Sequence, residues 1–210
     1  MRLAPLALIA LILSACSPPP TVPPPPRALP AGPPRVAVLA FALGEQLDPA
    51  TVPPDVGRDL ASVLAAKLAA AGAPTVDPDR VFGATELADR GAYGPALGAR
   101  VARKVGANLA VVGVLTRYRE RVGTDWSVQQ PASAAYETKL VRASDGATLD
   151  TAAFDYTQQT LTSNLLDLPR FLRGGGRWVT ARELLDGALG ETAARFARSV
   201  GVDRPEAPAR

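Results

Sequence analysis

The stretch from residue 17 to residue 34 constrains the fold most, because it is too rich in proline to join a packed domain. It reads SPPPTVPPPPRALPAGPP. Proline lacks a backbone N–H and holds φ at about −65°, which favours an extended polyproline conformation. At about 3.1 Å per residue, this stretch spans at most about 55 Å. The sequence therefore predicts a tether that ends at residue 34, one domain over residues 35–203 and a disordered tail over residues 204–210.

The residues before the tether are typical of an export signal. Arg2 precedes an apolar run over residues 3–13, which has the length of a signal-peptide core and is too short to span a bilayer. Ser14 and Ala15 follow, and Cys16 is the single cysteine of the chain. This order resembles the lipobox of bacterial lipoproteins, which are cleaved before the cysteine and acylated on it. The alternative is an ordinary signal peptide with a chance cysteine.

The resemblance to lipoproteins also implies a location. We expect a signal peptide over residues 1–15 and a lipidated tether over residues 16–34. Aspartate after the cysteine is the usual inner-membrane retention signal, whereas this chain has Ser17 there. The expected location is therefore the periplasmic face of the outer membrane, with the tether as a stalk. A featureless linker and a ligand for a proline-recognition domain are the alternatives for the tether.

An apolar run of strand length opens the domain. Residues 35–41 read RVAVLAF, which is typical of a strand covered on both faces, and we expect it to be central in its sheet. Asp55 is placed to cap a helix that Gly72 ends. The apolar positions of this helix recur at helical spacing: Val56, Leu60, Val63, Leu64 and Leu68.

The rest of the domain completes an α/β pattern. Helical segments are predicted over residues 78–104, with a break around residues 91–95, and a buried strand containing Val112 follows. Period-two alternation over residues 133–142 and 148–157, joined by Ser-Asp-Gly, predicts an antiparallel hairpin. A capping box, TARE at residues 180–183, begins a C-terminal helix. The prediction is a single small domain with a mixed sheet, parallel core strands plus the hairpin, and a core that includes Leu64 and Val112.

Two segments carry a family resemblance. GANLAVVGVLTRY and AAYETKLVRASDGATL resemble the envelope lipoprotein family around CsgG and LpoB and the amino-terminal domain of TolB. The resemblance covers most of residues 35–159 and implies an anticodon-binding-domain-like fold with a non-catalytic role as a binding or assembly module. It also implies a periplasmic protein partner and possible homo-oligomers, with a subunit of a CsgG-like secretion pore as the alternative. The segment NLLDLPRFLRGGGRWVTARELL lies outside the part of the chain that the resemblance covers.

The inventory of side chains argues against an enzyme. The chain has no histidine, which excludes Ser-His-Asp and Cys-His machinery and histidine metal sites. The carboxylate pairs Glu86 with Asp89 and Asp150 with Asp155 are candidates for an acid and a base, but their patterns are typical of solvated faces. No glycine-rich phosphate loop follows a predicted strand. We therefore expect no catalytic activity, no metal and no cofactor.

An arginine stripe is the first candidate for partner binding. On an extended strand, Arg117, Arg119 and Arg121 share one face, while Tyr118 and Glu120 take the other. Such a stripe suits carboxylates or phosphates. The alternative is a solvated sheet edge whose charges prevent aggregation.

The second candidate is the segment over residues 170–178, RFLRGGGRW. Arg173, Arg177 and Trp178 lie around three glycines next to a helix start, which is a composition that interfaces favour. The alternative is that Trp178 anchors the loop to the core. The net charge of +3 is too small to indicate a nucleic-acid partner.

Overall fold

The computed structural model describes residues 32–86, 93–124, 128–158 and 178–201. The predictions for residues 1–31 and 202–210 fall outside this part of the chain. The strands are β1 (Val36–Val38), β2 (Ala42–Leu43), β3 (Leu109–Arg119), β4 (Val122–Gly123), β5 (Val128–Gln130), β6 (Ser133–Arg142) and β7 (Thr148–Thr157). The α-helices are α1 (Val56–Ala70), α2 (Pro78–Glu86), α3 (Pro95–Val105) and α4 (Ala181–Ser199).

The main sheet is mixed, as the sequence predicts. Its strand order is β1-β3-β6-β7, and β2 also pairs with β3. The strands β1 and β2 run parallel to β3, whereas β6 and β7 form the antiparallel hairpin with the predicted bounds. The described elements thus form an α/β domain with a C-terminal helix. None of the described helices combines the length and the apolar composition that a bilayer crossing requires.

The prediction that the first strand is central in the sheet is wrong. β1 lies at the edge, with one isolated bridge between Val36 and Thr75 on its outer side. Its residues are nevertheless buried on both faces, since Val36 and Val38 are 1% exposed and Ala37 is fully buried. A continuous apolar run indicates that a strand is buried on both faces of the sheet. It does not indicate whether the strand has one neighbouring strand or two.

The predicted first strand is also interrupted between β1 and β2. The N–H of Phe41 leaves the sheet and donates to the carbonyl of Gly57 at 3.0 Å. Tyr93 closes the gap, because its hydroxyl donates to the carbonyl of Ala40 at 2.7 Å and accepts from the N–H of Gly113 at 3.1 Å. Burial raises the pKa of Tyr93 to about 12. A buried hydroxyl therefore replaces a ladder hydrogen bond.

The sheet separates two hydrophobic layers. On one face, α1 and α4 pack on residues such as Tyr136 of β6, and on the other, α2 and α3 cover Ala110 and Val112 of β3. Leu64 is fully buried and Val112 is 4% exposed, which confirms both predicted core positions. α3 lies over the first half of β3, whereas Lys139 and Glu137 of the neighbouring strand β6 are exposed on the same face of the sheet.

The two predicted helix starts have different outcomes. α1 begins after Asp55, but this residue has φ 60° and its side chain makes no capping hydrogen bond, so the predicted side-chain cap is wrong. The capping box of α4 is confirmed. The N–H of Glu183 donates to Thr180 Oγ1 at 3.1 Å, and the N–H of Thr180 donates to Glu183 Oε2 at 2.8 Å.

Candidate interaction surface

One end of the domain holds the last residues of the proline-rich stretch. The backbone N–H of Arg35 donates to Asn108 Oδ1 at 2.7 Å, and Asn108 Nδ2 donates to the carbonyl of Pro33 at 2.9 Å. Asn108 directly precedes β3, so the chain enters the domain beside the start of that strand. We call Pro33, Arg35 and Asn108 the tethered end.

The arginine stripe lies at the other end of β3. The eleven residues of this strand carry the chain about 33 Å from the tethered end. A bulge lies between Leu115 and Arg117, after which Arg117 pairs with Ala135 and Arg119 with Ser133. Arg117 and Arg119 therefore share one face of the sheet, whereas Tyr118 lies on the opposite face and packs against the α1 and α4 core.

The three arginines of the stripe differ in their surroundings. Arg117 Nε donates to Ser133 Oγ at 2.6 Å, and its guanidinium forms an ion pair with Asp155 on β7. Arg121 lies beyond the strand, is partly buried and interacts with other residues. Arg119 is exposed and has no side-chain partner among the residues that the structure describes. Arg119 is therefore the arginine of the stripe that is most available to a partner.

Glu120 has a role that the sequence does not indicate. Its Oε1 accepts a hydrogen bond from the N–H of Ala181 at 3.0 Å, and its Oε2 accepts from the hydroxyl of Tyr118 at 3.3 Å. Burial, and then the charge and hydrogen bond of Glu120, raise the pKa of Tyr118. Glu120 thus joins the end of β3 to the first turn of α4. The contact spans 61 residues, so no local pattern announces it.

Trp178 lies at the same end of the sheet. The N–H of Gln158 donates to the carbonyl of Ala132 at 3.1 Å, and its side chain accepts from the N–H of Val179 at 2.9 Å. These bonds place Trp178 beside the ends of β7 and β3, because Ala132 adjoins the residue that pairs with Arg119. Trp178 is partly buried. Arg173 and Arg177 lie outside the described residues.

An exposed valine completes this end of the molecule. Val122 of β4, three residues after Arg119, is 51% exposed, and no other large hydrophobic residue in the described ranges is exposed to this degree. Its exposure could not be read from the sequence, because a valine on a short strand normally indicates burial. We call Arg119, Arg121, Val122 and Trp178 the distal end.

The carboxylates considered for acid and base chemistry do not form a pair. Asp150 and Asp155 are five residues apart on β7 and therefore project from opposite faces. Asp150 accepts from Arg195 Nη2 and Ser199 Oγ, each at 2.6 Å. Partial burial acts to raise the pKa of Asp150, but these hydrogen bonds outweigh it and the pKa is lowered. Of the other pair, Asp89 lies outside the described residues.

The described side chains that could ligate a metal are also far apart from one another. Within residues 32–86, 93–124, 128–158 and 178–201, no three of the Cys, Asp and Glu side chains cluster as metal ligands would. Several of the described carboxylates instead form ion pairs that join elements of the fold, as Asp59 of α1 does with Arg182 of α4 at 2.9 Å.

Comparison with known proteins finds resemblance among solved structures only. No protein-family model matches the chain, and no curated protein matches its sequence. The PelC dodecamer from Paraburkholderia phytofirmans is 18% identical, with a TM-score of 0.48 over 80% of this chain and 90% of that chain. Lipoprotein GNA1162 from Neisseria meningitidis is 16% identical, with a TM-score of 0.44 over 68% of this chain and 94% of that chain.

LpoB, which the sequence pattern resembles, is also among the similar structures. The LpoB C-terminal domain from Escherichia coli is 13% identical, with a TM-score of 0.40 over 59% of this chain and 82% of that chain. Since all three TM-scores are below 0.5, function has to be argued from this chain's own residues.

Proposed function

We propose that this chain is a lipoprotein of the outer membrane that acts as a non-catalytic binding and assembly module on the periplasmic side. Acylated Cys16 is its anchor, and the distal end binds a protein partner. The observation that carries the proposal is that the tethered end and the distal end lie at opposite ends of β3.

The separation keeps the binding surface clear of the chain's own anchor. Asn108 fixes the point where the tether joins the domain, and a tether of up to about 55 Å can hold that point away from the bilayer. β3 adds about 33 Å between this point and Arg119. The domain therefore reaches a partner that is not itself at the membrane surface.

The distal end suits a protein surface that carries carboxylates. The guanidinium of Arg119 presents donors in a fork that matches a carboxylate, and the described residues leave it unengaged. Val122 and Trp178 supply apolar area beside it. An arginine with aromatic and aliphatic neighbours is a combination enriched where protein interfaces concentrate their binding energy.

The anchor is tested by Cys16→Ala. Cells are labelled with palmitate and their inner and outer membranes are separated. We expect the variant to lose the label and to accumulate as an unprocessed or mislocalised precursor, whereas Ser14→Ala, which keeps a small residue near the cleavage site, labels like wild type. Ser17→Asp should move the labelled protein to the inner membrane. Mature-sized Cys16→Ala protein in the outer membrane would overturn the anchor.

The partner is tested by a photo-reactive residue placed at position 122 of the full chain in intact cells. The matched control is the same residue at position 104, where Lys104 is exposed near the tethered end. We expect a discrete protein adduct from position 122 and none from position 104. Equal adducts from both positions would contradict a distal binding surface. A detergent extract that elutes as a large ring would instead support the secretion-pore alternative.

A further inference from the structure

Among the residues that the structure describes, the outer edge of β7 carries backbone groups that make no hydrogen bond. β7 pairs with β6 on one side, and no described strand pairs with its other side. Because the N–H of Gln158 donates to the carbonyl of Ala132 on the β6 side, the alternation of an antiparallel ladder turns the amides of Ala153, Asp155 and Thr157 outward. Natural sheets usually protect such an edge with proline, lysine, bulges or a covering element.

Within the described ranges, such protection is found at one end of this edge. Leu149 is an extra residue that shifts the register, and the carboxylate of Asp150 accepts from the N–H of Thr151 at 2.7 Å. Beyond this point the N–H groups of Ala153 and Asp155 have no hydrogen-bond partner in the described ranges. The open part of the edge is therefore a short stretch centred on Phe154.

The side chains of this stretch suit a second copy of the same stretch. Phe154 is half-buried, with its ring centroid 5.7 Å from that of Tyr136 and 6.4 Å from that of Tyr156. On the other face, Asp155 is held in an ion pair with Arg117, and Ala153 is small. We propose that two copies of this chain join through β7, antiparallel and centred on Phe154, as an isologous pair.

The register follows from charge and from the free amides. Centring on Phe154 places Ala153 opposite the second copy's Asp155, so that the unused N–H and C=O groups of both residues meet, and it stacks the two Phe154 rings as a cross-strand aromatic pair. Centring on Asp155 would place like charges opposite each other, which is destabilising. Centring on Ala153 would require the Thr151 N–H, which Asp150 already occupies.

The pair of chains is compatible with the proposed lipid anchor. The geometry at the membrane rests on that anchor, whereas the register of the pair does not. Antiparallel pairing puts the two tethered ends at opposite ends of the joined edge, and tethers of up to about 55 Å allow both to reach one membrane. Confinement to a membrane raises the effective concentration of the copies, which favours an interface formed by a single strand pair. Arg119 stays uncovered, because β3 lies two strands in from the paired edge.

A disulfide experiment tests the register in the full chain. Copies with Ala153→Cys and copies with Asp155→Cys are expressed together with different tags and oxidised in isolated membranes. Opposed residues of a hydrogen-bonded pair have Cα atoms about 5.5 Å apart, which a disulfide can bridge. We expect several-fold more disulfide-linked dimer when the two variants are expressed together than when either variant is expressed alone. The matched control combines Asp155→Cys with Lys139→Cys, exposed on the same face but one strand inward, and should stay at the level of the wild type.

The mass of the full chain in detergent provides the second test. We expect two chains for wild type and for Ala153→Ser, and one chain for Ala153→Pro, since proline removes an outward N–H and no bond inside the sheet. A wild-type mass of one chain, a mass of many chains, or a mixed disulfide no stronger than the control would overturn the pair. Palmitate labelling reports on the anchor separately, so an acylated single chain refutes only the pair and an unacylated pair refutes only the anchor.

Discussion

The side chain of Gln158 accepts a hydrogen bond from the backbone N–H of Val179 at 2.9 Å, across 21 positions of the sequence. Gln158 follows the last residue of β7, and Val179 precedes the capping box of α4. Gln158 is only 4% exposed. This buried amide therefore joins the end of the sheet to the start of the C-terminal helix and places Trp178 at the distal end.

Replacing Gln158 should destabilise the domain. Gln158→Leu keeps the approximate volume but leaves the N–H of Val179 without its acceptor, and an unsatisfied buried donor costs about 1–3 kcal/mol. The measurement is the free energy of unfolding in urea. Gln130→Leu is the control, because Gln130 on β5 is exposed and surface changes usually stay within about 0.5 kcal/mol. Equal losses in the two variants would show that the Gln158 bond does not stabilise the fold.

The buried tyrosines should make the domain sensitive to alkali. Burial raises the pKa of Tyr136 and of Tyr93 from 10.0 to about 12. Below pH 10 both the folded and the unfolded chain keep these protons, so the stabilisation is complete. Between pH 10 and pH 12 the unfolded chain releases protons that the folded chain retains, and the free energy of unfolding falls.

The size of this effect follows from the shift in pKa. Two pKa units correspond to about 2–3 kcal/mol for each tyrosine. We expect the unfolding free energy of wild type to decline more steeply from pH 9 to pH 11.5 than that of the double variant Tyr93→Phe and Tyr136→Phe. The comparison uses slopes, because Tyr136→Phe also removes the 2.7 Å hydrogen bond to Thr192 at every pH. Parallel slopes would contradict the shifted pKa values.

Two neighbouring positions on α1 should differ in their tolerance of truncation. Leu64 is fully buried, so Leu64→Ala should cost about 2–5 kcal/mol through lost burial and the cavity left behind. Val63 is only partly buried, so Val63→Ala is expected to cost clearly less. Chemical denaturation of both variants measures the difference. A loss of less than about 1 kcal/mol for Leu64→Ala would mean that the buried face of the helix is misassigned.

Two helical glycines should respond to alanine with opposite sign. A Cβ at Gly57 would lie 2.2 Å from the carbonyl oxygen of Phe41, so Gly57→Ala must displace the backbone that links β1 to α1. Apart from its chain neighbours and the backbone of α4 itself, no described atom lies within 4 Å of a Cβ at Gly187, so Gly187→Ala should stabilise the helix by about 0.5–1 kcal/mol. Thermal melts measure both changes. A stable Gly57→Ala variant would show that the close approach is absent.

Features of the fold that depend on nearby residues were predictable from the sequence. The hairpin of β6 and β7 has its predicted bounds, because alternation and a Ser-Asp-Gly turn fix the register locally. The capping box of α4 involves residues only three positions apart. Helical spacing likewise identified the buried face of α1, because the apolar side chains of an amphipathic helix lie on the side that packs against the core.

Features that depend on distant residues could not be predicted. The edge position of β1 depends on which strands pair, and an apolar run carries no such information. Arg117 and Arg119 look alike in sequence, yet only Arg117 meets Asp155, which is 38 residues away. The hydrogen bond from the N–H of Ala181 to Glu120 likewise joins residues that are far apart in the sequence. The candidate site was therefore predictable as a set of residues, but their availability to a partner was not.

The distal end should lose its partner when its charge is reversed. Arg119 has no side-chain partner in the described part of the chain, so Arg119→Glu is expected to leave the melting temperature unchanged and to weaken the adduct formed from position 122 by about tenfold, equivalent to about 1.4 kcal/mol. Arg100→Glu is the matched control, since Arg100 is exposed on α3, and should leave the adduct unchanged. Trp178→Ala should also weaken the adduct with little change in melting temperature. If Trp178→Ala instead lowers the melting temperature sharply while Arg119→Glu has no effect on the adduct, then Trp178 anchors the core and the binding surface lies elsewhere.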